Sequence, residues 1–138
     1  MQGANLNWLG LREPEKYGTT TAEELDAMIR RHAEERGFDV EILYCNGEGQ
    51  AIDALYAATG KGVDAVVMNP GGFSYAGYAL RDCVLGIEIP VIDVHLTNHY
   101  ERGIHCVTSA AAMGVIMGLG IGGYFLALDA ALELVRAK

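Results

Sequence analysis

The sequence predicts an α/β fold with a parallel sheet covered on both faces. Three observations carry that expectation: apolar runs of strand length, amphipathic stretches of helix length between them, and turn or polar clusters where one gives way to the other. Strands alternating with helices imply right-handed crossovers, which place helices on both sides of the sheet. At 138 residues the chain is expected to form one domain, residues 1–138, around a single core.

The elements follow in order. Asn5 to Thr21 is rich in Gly, Pro, Asn and Thr, and Gly10 and Gly18 bracket a stretch that includes Arg12 and Tyr17, so it reads as a loop with two hinge-capable ends. Thr21 with Glu24 has the form of a capping box, and Leu25, Met28, Ile29 and His32 or Ala33 make one apolar stripe, predicting a helix to about Arg36 that Gly37 ends. A strand at Asp39 to Tyr44, a helix at about Gly49 to Thr59, a strand at Ala65 to Met68 and a helix around Tyr75 to Leu85 come next. The strand Val91 to His95, an irregular segment, a strand near Val115 to Met117 and a helix from Tyr124 to Ala137 complete the pattern.

Two segments invite other readings. Val107 to Leu128 carries no charge and is long enough to cross a bilayer. Its five glycines from Gly114 to Gly123 disfavour one continuous helix, since each costs about 1 kcal/mol relative to Ala, so a buried strand, a turn and a buried helix are expected and no membrane association. Gly118 to Gly123 matches G-x-G-x-x-G, but a dinucleotide site needs a further strand and an acidic residue about 20 positions on. Tight strand-to-helix packing is expected there, and no cofactor.

Hydrophobic residues make up 51% of the chain and charged residues 20%, a balance that predicts surface buried between subunits. The formal net charge is −8 and the ten Lys and Arg residues are scattered, so no stripe exists to neutralise a nucleic-acid backbone. Cys45, Cys83 and Cys106 lie in apolar stretches without metal-ligand spacing and read as reduced core thiols of a cytoplasmic protein, with no metal expected. No secretory leader pattern opens the sequence.

In parallel α/β sheets, ligands bind beyond the carboxyl ends of the strands, which directs attention to three clusters. Asp93 and His95 are two apart at a strand end and share a face, where the carboxylate favours a charged imidazole able to donate a proton. Arg12 and Tyr17 share the glycine-bracketed loop; a tyrosine of pKa about 10 becomes a usable base when a guanidinium stabilises its phenolate. An exposed arginine beside an incidental tyrosine has the same spacing. Asn69-Pro70-Gly71-Gly72 stands between a strand and a helix, where free N–H groups face an anion, and Leu96-Thr97-Asn98 offers further donors. A tight turn and a plain helix cap would look identical.

Taken in order, Gly3-Ala4-Asn5-Leu6-Asn7-Trp8-Leu9-Gly10, Arg12-Glu13-Pro14, Tyr17-Gly18, Asn69-Pro70-Gly71-Gly72, Ala79-Leu80-Arg81-Asp82, Asp93-Val94-His95-Leu96-Thr97-Asn98 and Gly114 to Gly120 resemble the type II 3-dehydroquinate dehydratases over nearly the whole chain. The resemblance implies a flavodoxin-like three-layer α/β/α fold, a trimer-based homododecamer, and cofactor-free dehydration of a small carboxylate in the shikimate or quinate pathways. It implies Tyr17 as base, Arg12 keeping the phenolate accessible, Asn5 stabilising the enolate, His95 as acid and Asp93 orienting it. Asn69 would bind a substrate hydroxyl, Leu96 and Thr97 the carboxylate, and Asp82 would reach a neighbouring subunit's site.

The sequence departs from the family pattern at Ala4 (Pro in the family), Asp93 (Glu), Tyr75 (His, bonding a substrate hydroxyl) and Ile104 (Arg), with Arg102 placed to take over part of the last role. Unmet hydrogen bonds at such positions alter substrate preference. Two other functions therefore stand beside the first: dehydration or isomerisation of another cyclic hydroxy-ketone or keto acid, and binding without catalysis. Family members also open with an apolar strand before Gly-x-Asn-Leu-Asn, whereas this sequence begins at Met1-Gln2, and upstream residues are expected to supply that strand.

Overall fold

The computed structural model describes all residues from Met1 to Lys138. Strands β1 (Gln2–Ala4), β2 (Val66–Gly71), β3 (Val91–His95) and β4 (Gly114–Met117) form a parallel sheet in the order β1-β2-β3-β4. Gln2–Ala4 occupies the sheet position ahead of Asn5: Gln2 pairs with Asn69 and Ala4 with Gly71. Three residues, one of them glycine, are too few to show a period. Gly3 is required by close approach, because a β-carbon there would collide with the Pro70 carbonyl.

The run expected as a strand over Asp39 to Tyr44 lies along the free edge of β1 but makes one bridge only, Tyr44 to Gln2. Gln2 N–H donates to Leu43 O at 2.7 Å and Cys45 N–H donates to Gln2 O at 2.8 Å. The run keeps its alternation, with Val40, Ile42 and Tyr44 half-buried and Asp39, Glu41 and Leu43 exposed. No longer ladder forms because the partner strand is short. Counting this run, the strands stand in the chain order 2-1-3-4-5 of flavodoxin-like sheets.

Helices cover both faces. On one side α2 (Ala22–Arg36) and α5 (Gly122–Arg136) bury Leu25, Ile29, Tyr124, Ala127 and Ala131 against Ile92 and Val94. On the other, α3 (Glu48–Lys61) and α4 (Tyr78–Gly86) bury Ala51, Leu55, Leu80, Cys83 and Val84 against Val66, Met68 and Val91. The α2 start is the capping box: Glu24 N–H donates to Thr21 Oγ1 at 3.1 Å, and Thr21 N–H donates to Glu24 Oε2 at 3.0 Å. The loop between Gly10 and Gly18 is not wholly irregular, since Pro14 at the first helical position starts a single turn, α1 (Pro14–Tyr17).

The uncharged stretch from Val107 divides into turns, β4 and the start of α5, and no helix is long and apolar enough to cross a membrane. A β-carbon on Gly123 would stand 3.2 Å from Val94 Cγ2 and 3.4 Å from Ile116 Cγ2, so that glycine serves the packing of α5 on the sheet. Cys45 and Cys83 belong to the α3–α4 core. Cys106 is equally buried but belongs to neither core.

Leu55 is fully buried between α3 and the sheet. Leu55→Ala is expected to cost about 2–5 kcal/mol through lost transfer energy and the cavity left behind. Urea unfolding reads this as a lower midpoint with an unchanged slope.

Candidate active site

The carboxyl ends of β1, β2 and β3 open onto one cleft, at the point where strand order reverses between β1 and β2. Of the residues singled out in the sequence, Asn5, Arg12, Tyr17, Asn69, Tyr75, His95, Leu96, Thr97 and Arg102 all line it. Asp93 lies beneath, fully buried. Asp82 stands apart, exposed on α4.

Each lining group is positioned by a local cause. Asn5 follows β1 in the left-handed region at φ 71°, a conformation asparagine tolerates better than most residues, and its N–H donates to Asn46 Oδ1 at 2.8 Å. Gly71 at φ 55° carries the backbone past Ala4, where a side chain would strike the Ala4 carbonyl. Asn69 is 4% exposed and oriented from both ends: Gly71 N–H donates to its Oδ1 at 3.0 Å, and its Nδ2 donates to Tyr124 Oη at 2.8 Å. The Tyr124 hydroxyl in turn donates to Gln2 Oε1 at 2.7 Å, so β1, β2 and α5 meet in one buried chain of hydrogen bonds.

The rim is looser. Glu13 holds a left-handed conformation at φ 41° and pairs with Lys16 at 2.7 Å and Arg12 at 3.7 Å, exposed contacts that contribute little to stability. The guanidinium standing over the Tyr17 ring is that of Arg102, with its central carbon 5.8 Å from the ring centroid. Arg102 Nη1 also donates to Thr97 Oγ1 at 2.9 Å, joining the post-β3 loop to the tyrosine.

The inner wall holds the strongest electrostatics. Asp93 and His95 project from the same face of β3, with Nε2 3.6 Å from Oδ2. That carboxylate oxygen also accepts from Thr108 Oγ1 at 2.9 Å and Ser109 Oγ at 3.2 Å. His95 Nε2 is 3.1 Å from Ser109 Oγ and 3.7 Å from Cys106 Sγ. Burial by itself would lower the His95 pKa, but Asp93 and Cys106 outweigh it and raise it to about 9. Burial would likewise raise the Cys106 thiol, yet His95, Ser109 and Thr108 bring it down to about 6. His99, whose ring centroid is 4.2 Å from that of His95, is pushed down to about 4 by burial, then by the charge on His95 and Arg102.

At neutral pH the site therefore presents one imidazolium with a thiolate behind it, one neutral imidazole and two guanidinium groups around a cleft that Tyr17 also lines. Such a set binds a carboxylate and donates a proton into a site largely removed from water. Thr108, Ser109, His99 and Cys106 were not expected at the site. Cys106 reads as a core thiol when the cysteines are taken alone, and the available signal was the spacing of His95, His99 and Cys106 together.

Comparison with known proteins finds relatives over nearly the whole chain. The family model described as Dehydroquinase class II matches residues 1–132. The chain is 46% identical to a 3-dehydroquinate dehydratase of Ectopseudomonas mendocina, over 100% of this chain and 95% of that one. It is 44% identical to the 3-dehydroquinate dehydratase of Vibrio cholerae serotype O1, over 100% and 93%. Among solved structures, the type II dehydroquinase of Butyrivibrio crossotus superposes with a TM-score of 0.90 at 37% identity, covering 95% of this chain and 93% of that one. That of Propionibacterium acnes gives 0.88 at 36%, covering 98% and 92%.

The raised pKa means that His95 stays charged below about pH 9 and loses its proton as the pH rises through that value. Imidazole resonances followed by NMR are expected to titrate there in chelator-treated protein. Asp93→Asn should move the transition downward, and an unmoved midpoint would show that the carboxylate does not hold the proton.

Proposed function

The chain belongs to the class II dehydroquinase family, and from that premise we propose that it is a hydro-lyase that removes water from 3-dehydroquinate. The observation that carries the reading is the charged His95, buried against Asp93 and facing the cleft that Tyr17 also lines. An elimination beside a ketone needs a base, an acid and a group to hold the negative charge between the two steps.

Tyr17, as phenolate, removes a proton from the carbon next to the ketone, and the C–H electron pair forms the enolate. Arg12 and Arg102 keep the phenolate accessible, while Asn5 holds the hydrogen bond or water that stabilises the enolate oxygen. When the ketone re-forms, the electron pair makes the new C=C bond and the C–O bond breaks. His95 gives a proton to the departing hydroxyl, which leaves as water. Its Nε2–H bonds inward to Ser109, leaving Nδ1–H for the substrate, and Asp93 orients the ring through the same serine. The two proton transfers balance, and a return of the proton from Tyr17 to His95 through water restores the enzyme. No cofactor enters the scheme.

Substrate binding draws on the same wall. The carboxylate is held at Leu96 and Thr97 with Arg102 beside them, and a ring hydroxyl meets Asn69. Tyr75, 59% exposed at the rim, donates from its phenol in place of the imidazole that the resemblance leads one to expect. Dehydration is favoured over the two other functions by curated relatives named 3-dehydroquinate dehydratase.

We further propose that residues 1–138 act as one domain within a trimer-based homododecamer, in which Asp82 reaches a neighbour's cleft. Supporting this are the large apolar groups left exposed on the isolated chain, among them Leu85, Met113 and Leu119. Three free cysteines, all buried, fit a cytoplasmic setting.

Purified protein mixed with 3-dehydroquinate is expected to generate the ultraviolet absorbance of the conjugated enone. Tyr17→Phe should lower turnover by about 10²–10⁴-fold while the protein stays folded. A folded Tyr17→Phe variant of undiminished activity would exclude that residue as base. His95→Ala should slow loss of the hydroxyl while sparing hydrogen exchange next to the ketone, and equal loss of both would count against a role confined to the acid.

A further inference from the structure

Beside the acid, two side chains that the dehydration scheme leaves idle converge on a third. His95, His99 and Cys106 are all buried, and one nitrogen or sulfur atom from each lies within 4.8 Å of the others. His95 Nε2 and Cys106 Sγ are 3.7 Å apart. Tetrahedral zinc, with Zn–N about 2.05 Å and Zn–S about 2.3 Å, holds such a pair of donors about 3.6 Å apart. The third donor adds an independent observation: His99 is 8% exposed and its buried Nδ1 has no hydrogen-bond partner. A buried nitrogen in a native fold ordinarily finds one.

Access and donor chemistry narrow the occupant. Both imidazoles line the cleft, so an ion reaches them from solvent, and Cys106 stands behind. Two imidazoles and a thiolate do not suit magnesium or calcium, which take oxygen donors; they suit zinc and its neighbours among the transition metals. Three protein donors leave a fourth position open, as in zinc sites that exchange a water or substrate atom. Asp93 Oδ2 lies 3.6 Å from that same His95 Nε2, so its carboxylate stands beside the cation and favours a positive charge there.

We propose that His95, His99 and Cys106 form a binding site for a thiophilic divalent cation, zinc foremost, and that its occupancy and dehydration exclude each other. The exclusion rests on His95 acting as the acid: the ring serves that role with a proton on each nitrogen, and a metal on Nε2 takes one of those places. Zinc thus becomes a reversible inhibitor competing with the substrate.

Cobalt(II) is the probe that reads the site without reference to activity. Added to chelator-stripped full-length protein, one equivalent is expected to give a thiolate-to-cobalt charge-transfer band in the near ultraviolet that zinc abolishes. Cys106→Ser should remove the band, and His99→Ala should weaken cobalt binding at least tenfold, with circular dichroism recorded on both to verify the fold. Absence of the band in folded wild-type protein would overturn the site. So would a band that survives Cys106→Ser, which would assign it to Cys45 or Cys83. In the activity arm, zinc should lower turnover at least tenfold, with more zinc needed at higher substrate and full recovery on adding EDTA; a zinc-loaded enzyme at full rate would overturn the exclusion. Failure of metal-free protein to dehydrate 3-dehydroquinate would fall on the catalytic reading, whereas the cobalt band tests this site alone.

Discussion

The fully buried carboxylate of Asp93 is the constraint on which the rest of the site depends. A charge taken out of water costs several kcal/mol unless partners replace its hydration. Here Thr108, Ser109 and His95 gather around one oxygen. To supply them, the chain leaving β3 must travel outward through residues 98–105 and return to the strand it left. Val107 N–H, donating to Ser74 O at 2.9 Å, fastens the same return to the segment after β2. One buried charge therefore organises two loops and gives the cleft its inner wall.

That wall and the rim differ in how they are held. Asn69, Asp93 and His95 sit at strand ends, nearly free of solvent and fixed by short hydrogen bonds. Arg12 precedes and Tyr17 ends a single turn of helix, on a loop between glycines at φ 85° and 86° that is held by exposed ion pairs to Glu13. A rigid wall carrying the proposed acid, opposite a loosely tethered loop carrying the proposed base, suits a reaction in which the substrate must enter, lose water and leave as a flatter ring. Catalytic groups on strand ends keep their geometry through that cycle, while those on the loop have the freedom to close and open.

Much of this was legible in the sequence, because the features concerned have a local cause. The Thr21–Glu24 box, the stripe Leu25–Ile29–Ala33 and the period-two placement of Asp93 and His95 are properties of consecutive residues, and all are present in the fold. What escaped depends on the chain meeting itself. β1 is a strand only because β2 lies beside it, and the run through Val40 and Ile42 fails to make a full ladder only because β1 is short. Cys106, Thr108 and Ser109 lie in a segment without period, and their convergence on His95 is a product of the return that Asp93 demands. The placement of Arg102 over Tyr17 likewise joins two loops that no window of sequence contains.

The hydrogen-bond chain Gln2–Tyr124–Asn69 carries a consequence for how such a sequence is free to vary. Its members come from β1, α5 and β2, are buried, and each supplies what its neighbour lacks: an acceptor, a hydroxyl that both gives and takes, and an amide donor. A phenylalanine at Tyr124 strands two amides at once, and an apolar residue at Gln2 strands the hydroxyl. Exchanges at the three positions are compatible with the fold as sets rather than singly, so divergence here proceeds by coordinated replacement. A helix far along the chain from β1 thus has a say in which residues can stand ahead of Asn5.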